Sequence, residues 1–135
     1  MAVAHAIKTA AIAKALDSKQ GIIDAVGDLS GVELFFDLVL LGVYVRPDRV
    51  GSILLPDQTV AEDQYQGICG LVLKLGPDAF VSSDQFDYGA SKVEVGDWVI
   101  FNVGDAKSII INGAPCRYLP AGKVRMKVKH PNLYF

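Results

Sequence analysis

The sequence predicts a mainly β domain, a small antiparallel β-barrel carrying an N-terminal helical extension, and three observations predict it. Short Val/Ile/Leu-rich segments recur from residue 32 onward. Proline and glycine separate them at short intervals, with no helical period between, which is the pattern of a small barrel or sandwich. The first thirty residues read differently, being rich in alanine and free of proline. With 135 residues, 51% hydrophobic and 21% charged, the chain suits one compact domain and excludes disorder as its main state. A chain this short buries about two thirds of its unfolded surface, so apolar surface is left over, and a partner or further copies of the chain are expected.

Taken in order, residues 1–31 form the extension and residues 32–135 the barrel. Ala2 to Lys19 combines alanine with Ile7, Ile12, Leu16 and three lysines, a helix-favouring composition. Asp17 and Ser18 supply capping chemistry for a second short helix, Ile22 to Val26, whose Ile22, Ile23 and Val26 share a face. Gly27 and Gly31 bracket the exit. Predicted strands follow at Val32–Val45, Ile53–Leu55, Ile68–Leu75, Val93–Asn102, Ile109–Ile111 and Gly122–Lys129. Breakers stand at Pro47, Gly51, Pro56, Gly76-Pro77, Gly89, Gly104, Gly113-Ala114-Pro115 and Pro120-Ala121-Gly122. In the last strand Lys123, Arg125, Lys127 and Lys129 alternate with Val124, Met126 and Val128, giving one basic and one apolar face. Two long loops are expected, 46–67 and 76–92. The first is polar but carries the bare triplet Ile53-Leu54-Leu55, and the second carries Phe80, Phe86 and Tyr88.

Charge is segregated along the chain. Residues 1–106 carry a net −8 and residues 107–135 a net +6 within an overall −2. Head-to-tail contact between copies would pair those signs. A solvated basic strand face is the plainer alternative. Nucleic-acid binding is disfavoured, because the net charge is negative and the basic strand has no aromatic neighbour before Tyr134 and Phe135.

Chemistry is sparse. Histidine occurs only as His5 and His130, without a motif around either, and no nucleophile elbow, phosphate loop or zinc signature is present. Glu62-Asp63 reads as a solvated pair in a polar loop. No enzymatic activity, metal or cofactor is expected. Cys69 and Cys116 lie in separate apolar segments and read as buried free thiols in a reducing, cytoplasmic setting. Lys8 and Lys14 interrupt any secretion signal, and the longest apolar run, Leu34 to Val45, is too short for a bilayer and contains Asp37. No membrane association is expected.

At Val95-Gly96-Asp97-Trp98-Val99-Ile100-Phe101-Asn102-Val103-Gly104 the sequence resembles the GroES co-chaperonin family, whose barrels carry a VGD-x-V-I-F-x-x-G segment. Gly70-Leu71-Val72-Leu73-Lys74-Leu75-Gly76 is similar to that family's G-x-V-x-x-V-G strand, and Gly42-Val43-Tyr44-Val45-Arg46 to its first barrel strand. Gly51-Ser52-Ile53-Leu54-Leu55-Pro56 falls where the family has its mobile loop. The resemblance covers roughly residues 35–130. It implies a barrel that assembles as a ring, with Gly51, Ser52, Ile53, Leu54 and Leu55 contacting a chaperonin and residues 76–92 forming a roof hairpin. Burying three large apolar side chains in a partner's groove is worth ~1.5–3 kcal/mol each before ordering costs, and repetition around a ring multiplies weak contacts by avidity. An ordinary short strand closing the barrel is the other reading of the triplet.

Departures from the family open a second reading. Pro47 to Val50 is shorter than the family's segment, and the helical extension has no counterpart in the bacterial proteins. The family's opening is represented by Phe35-Phe36-Asp37-Leu38-Val39, without its proline and arginine. Subunit contacts are expected at Phe35, Phe36, Val39, Lys123, Arg125, Lys127 and Lys129. The chain is thus expected to be a divergent co-chaperonin, cellular or virus-encoded, capping a chaperonin. The alternative is a virion structural protein, a capsid-decorating, cementing or connector component meeting capsid or neck proteins.

Overall fold

The computed structural model describes residues 16–45, 49–50, 53–54, 68–81 and 92–131. Among the described residues one α-helix, α1 (Lys19–Val26), precedes eight strands: β1 (Leu38–Val43), β2 (Arg49–Val50), β3 (Ile53–Leu54), β4 (Cys69–Leu75), β5 (Trp98–Phe101), β6 (Lys107–Ile111), β7 (Ala114–Pro120) and β8 (Val124–Val128). Six of them form one antiparallel sheet in the order β6-β7-β1-β4-β5-β8, and β2-β3 form a sheet of their own. The mainly β expectation holds. The sheet is open rather than closed, with β6 and β8 as its two edges among the described residues.

The capping chemistry at the start of α1 works as the sequence suggests. Ser18 is the N-cap, its Oγ accepting from the Gly21 N–H at 3.0 Å, and Gly27 ends the helix with φ 73° and its N–H on the Ile23 carbonyl. The cap starts the helix at Lys19, three residues before the expected Ile22. Ile22 and Val26, one turn apart, are buried. The longer helix expected over Ala2 to Lys19 falls mainly on residues outside the described ones. Beyond α1 the chain is tied down by Lys74, whose ammonium donates to the Leu29 carbonyl at 2.9 Å and to the Val32 carbonyl. Among the described residues no helix is long and apolar enough to cross a membrane.

Each face of the sheet has its own core. On one, α1 and Leu16 cover Leu40, Val43, Tyr44, Cys69, Leu71, Trp98 and Cys116. Tyr44 meets the Trp98 ring edge to face, with centroids 5.5 Å apart at 79°. On the other, Ala79, Phe80 and Val93 fold over Val39, Leu41, Val72, Val99, Phe101 and Leu119. The helical extension is therefore part of the domain through residues 16–26, and not a separate tail there.

Four strand expectations change. Ala114–Pro120, expected as punctuation, is β7, an interior strand between β6 and β1. Asn112 (φ 51°) and Gly113 (φ 82°) form the two-residue turn joining β6 to β7, and such left-handed pairs suit the twist of a hairpin. Proline is tolerated because Pro115, which pairs with Ile110, is the second residue of the strand, and Pro120 is its last. Val32–Val45 and Val93–Asn102 shorten to Leu38–Val43 and Trp98–Phe101, since residues 32–37 and 94–97 form turns and irregular backbone. The last strand begins at Val124, after a tight helical turn over Ala121–Lys123.

Candidate functional site

The most specific sequence motif is a folding device. Asp97 N–H donates to the Glu94 carbonyl at 3.1 Å around Gly96, whose φ is 96°. This is a turn that needs a positive φ at its third residue, hence glycine. The Asp97 carboxylate accepts from the Glu94 N–H at 2.9 Å, closing the turn from its other side. Gly96 N–H and Val72 N–H then bond to Val72 and Asp97 carbonyls, both at 2.9 Å, which sets Trp98–Phe101 into register with β4. Valine, glycine and aspartate at 95–97 thus set the start and register of a strand.

The triplet lies partly within the described residues. Ile53 and Leu54 form β3, paired antiparallel with β2 as Arg49 with Leu54 and Val50 with Ile53, and apart from the six-stranded sheet. Two residues, Gly51 and Ser52, connect the strands. Their conformation, and Leu55, lie outside the described residues, as does residues 82–91 of the expected roof hairpin. The segments flanking that hairpin are anchored: Ala79, Phe80 and Val93 are buried in the second core.

The expected subunit-contact residues separate into three groups. Phe35 and Phe36 stand out into solvent, 62% and 74% exposed. Val39 is fully buried. It lies on an interior strand, paired with Leu75 on one side and Leu119 on the other, so it fills the chain's own core and has no surface to offer a neighbour. Lys123, Arg125, Lys127 and Lys129 are exposed along and around the edge strand β8. The opposite face of β8 is only partly covered, with Val124 and Val128 half-buried and Met126 exposed. Lys127 sits 3.9 Å from Asp97 and donates to the Lys92 carbonyl at 3.4 Å. An exposed pair of this kind contributes little, and the basic character of the edge persists.

Sequence reading passed over three residues. Arg117, on interior strand β7, is 2% exposed, and its guanidinium lies 6.0 Å from the Phe101 ring centroid. Desolvation lowers its pKa. Asn112 turns its amide to the Val26 carbonyl at 2.6 Å, joining the β6–β7 turn to the end of α1. Asp28 accepts from the Ser30 N–H at 2.9 Å and the Ser30 hydroxyl at 2.8 Å, which hold its carboxyl below the usual range. The Asn112-Gly113 dipeptide was a legible hairpin signal; an arginine in an apolar strand gave no signal of its burial.

Among the described residues no three His, Cys, Asp or Glu side chains stand together as a metal site. An apolar groove of about 210 Å³ opens between α1 and the β4–β5 turn, lined by Ile23, Val26, Leu29, Leu73 and Val95. It is smaller than the ~300–1,000 Å³ of small-molecule sites. Cys69 and Cys116 are free and buried. They sit on strands flanking β1, about 10 Å apart at a strand spacing of ~4.8 Å, beyond disulfide reach. Burial pushes the Cys69 thiol up to about 12 and the Cys116 thiol to about 11, the latter despite a hydrogen bond from Ile111 that opposes the shift. The folded state keeps both thiols protonated where the unfolded chain has lost those protons, so stability falls as pH rises above 9 and levels off near the folded values. Denaturant titrations are expected to show a loss approaching ~1.4 kcal/mol per pH unit per thiol, with Cys69→Ala and Cys116→Ala each flattening the slope.

No model of a known protein family matches this chain, and a search of curated proteins finds no relative.

Proposed function

We propose that this chain is one protomer of a GroES-like co-chaperonin ring, a non-enzymatic cap for a GroEL-type chaperonin that assists protein folding. The observation that carries the reading is the position of Ile53-Leu54. They form a miniature ladder outside the six-stranded sheet, bracketed by a sequence rich in polar residues. A pair of strands this short has little stability by itself, which suits a segment that gains its order on a partner. Each docked triplet contributes a modest free energy, and a ring of copies converts it to tight capping through effective concentration. The basic β8 edge at 123–129 and the acidic first part of the chain supply complementary signs for neighbouring protomers, with Phe35 and Phe36 as apolar contacts.

Purified chain mixed with a GroEL-type chaperonin is expected to cosediment with it in the presence of ATP. Ile53→Asp combined with Leu54→Asp is expected to abolish that association while leaving the native mass of the chain unchanged. Absence of ATP-dependent association of the unaltered chain would sink the reading. A second reading, a virion structural protein built on the same sheet, is favoured by the union of residues 16–26 with the sheet, which bacterial co-chaperonins lack. Stoichiometric presence in purified particles, at a copy number matching capsid or neck symmetry, is the result it requires.

A further inference from the structure

The two edges of the sheet differ in a way that assigns them different partners. Alternation of hydrogen bonding fixes which backbone groups each strand turns outward. In β1 and its continuation, even-numbered residues face β4: Tyr44 N–H donates to the Cys69 carbonyl at 3.1 Å, and the Leu38 carbonyl accepts from Gly76 N–H at 2.8 Å. Odd-numbered ones face β7, as where Ala121 N–H meets the Asp37 carbonyl at 2.8 Å. Carried through the registers, Arg117 and Leu119 of β7 then bond to β1, and Ala114, Cys116 and Tyr118 bond to Ile111, Ile109 and Lys107 of β6. Ser108 and Ile110 are left with their N–H and C=O groups directed out of the sheet. Among the described residues nothing pairs with that edge.

An open edge is a template for another strand, and proteins guard such edges with charge or proline. β8 is guarded by Arg125 and Lys127. β6 is not: it has no proline, its one charge is Lys107 at the start, and Ile109 and Ile110 are 41% and 74% exposed.

We propose that β6 pairs antiparallel with β6 of a second copy about a two-fold axis at Ile109. Charge selects this occupant. The axis sets Lys107 opposite Ile111 of the second copy, and the two lysines, four residues apart along the ribbon, are separated by ~13 Å, beyond the ~8–10 Å over which exposed charges act in physiological salt. Pairing β6 with β8 of a second copy would instead bring Lys107 onto an edge carrying Arg125 and Lys127, and like charges across strands are destabilising. In the dyad register Ser108 and Ile110 exchange both backbone bonds at each end, so four hydrogen bonds form. Ile109 meets its own counterpart, and each Ile110 covers the small Ser108 across from it. The contact uses the edge opposite the basic β8 strand, so it stands independently of the co-chaperonin reading and is compatible with ring contacts made through β8.

The test is the native mass of the full chain. Ser108→Pro removes an outward N–H that no described strand uses, and Ile110→Asp places a charge on the dry seam; each is expected to halve the mass of the wild-type assembly. Ser108→Lys combined with Ile110→Asp is expected to restore it, because opposite charges then meet at both ends of the dyad. In the wild type, amide hydrogen exchange at Ser108 and Ile110 is expected to slow as protein concentration rises, a measurement that needs no variant. The proposal is overturned by an unchanged mass in a folded Ile110→Asp variant, by exchange at these amides that is independent of concentration, or by a single-copy chain that takes up an extended peptide at β6 instead.

Discussion

Gly42→Ala is expected to lower the stability of the fold by about 1–3 kcal/mol, the cost of overfilling a packed interior. A Cβ built at this position meets Ile22 Cγ2 at 2.3 Å and Leu73 Cδ1 at 3.2 Å. The first atom cannot swing away: it branches from the Cβ of a side chain that is stiff at χ1 in a helix, and Ile22 is fully buried. Relief comes from lifting α1 off β1, which loosens the contacts of Leu16, Val26 and Tyr44 in the same core. The effect has a signature that ordinary core damage lacks. Ile22→Ala alone is expected to cost ~2–5 kcal/mol by leaving a cavity, yet it also removes the obstructing methyl. The double variant is expected to lose less than the sum of its parts, by an interaction in the ~0.5–3 kcal/mol range of residues in contact. Urea titrations of the four proteins in the cycle measure this, and strict additivity would show that the helix is not seated at Gly42.

The same contact shows how far the sequence could be read. Ser18, Gly27 and the spacing of Ile22 and Val26 write the helix locally, because caps and periodicity are properties of a few consecutive residues. What the helix packs on is not local: nothing in Leu41-Gly42-Val43 announces that a methyl group from residue 22 will occupy the space above Gly42. β7 was hidden for a different reason. Pro115 and Pro120 are strong breakers by composition, and only the register of β6 and β1 on either side shows that they fall where a sheet tolerates them. The Val95-Gly96-Asp97 motif was legible as a signature and opaque as a mechanism, since the bonds of residues 94–97 with one another and with Val72 are what give it meaning. Nothing in the apolar run from Leu34 announced that Phe35 and Phe36 stand out into solvent, whereas the exposure of the basic β8 side chains followed from their alternation with Val124, Met126 and Val128. The burial of Val39 did not, because in an all-apolar run the facing of a side chain is decided by which strands lie beside it.

Phe36→Asn is expected to raise the stability of the isolated chain by about 1 kcal/mol while weakening its self-association. Phe36 has φ 57° and is 74% exposed. A left-handed conformation costs a bulky L-residue ~1–2 kcal/mol, and asparagine adopts it more readily because its short side chain bonds locally. The benzyl group offsets little of that cost in the monomer, because most of its surface stays in water. The conformation is imposed from outside: the Phe36 carbonyl accepts from Asp78 N–H at 2.9 Å, Gly76 N–H bonds to the Leu38 carbonyl at 2.8 Å, and a Cβ on Gly76 would stand 2.5 Å from the Phe36 oxygen. Strain that the surroundings maintain without return in the folded monomer is what the proposed role of Phe36 as a contact between copies would account for. Gly76→Ala works in the opposite sense, forcing the Phe36 carbonyl away and lowering both stability and association, so the pair separates strain from presentation. Thermal unfolding at low concentration reads the first quantity and native mass against concentration reads the second. A Phe36→Asn chain that gains stability and keeps its full native mass would remove Phe36 from the proposed contact surface.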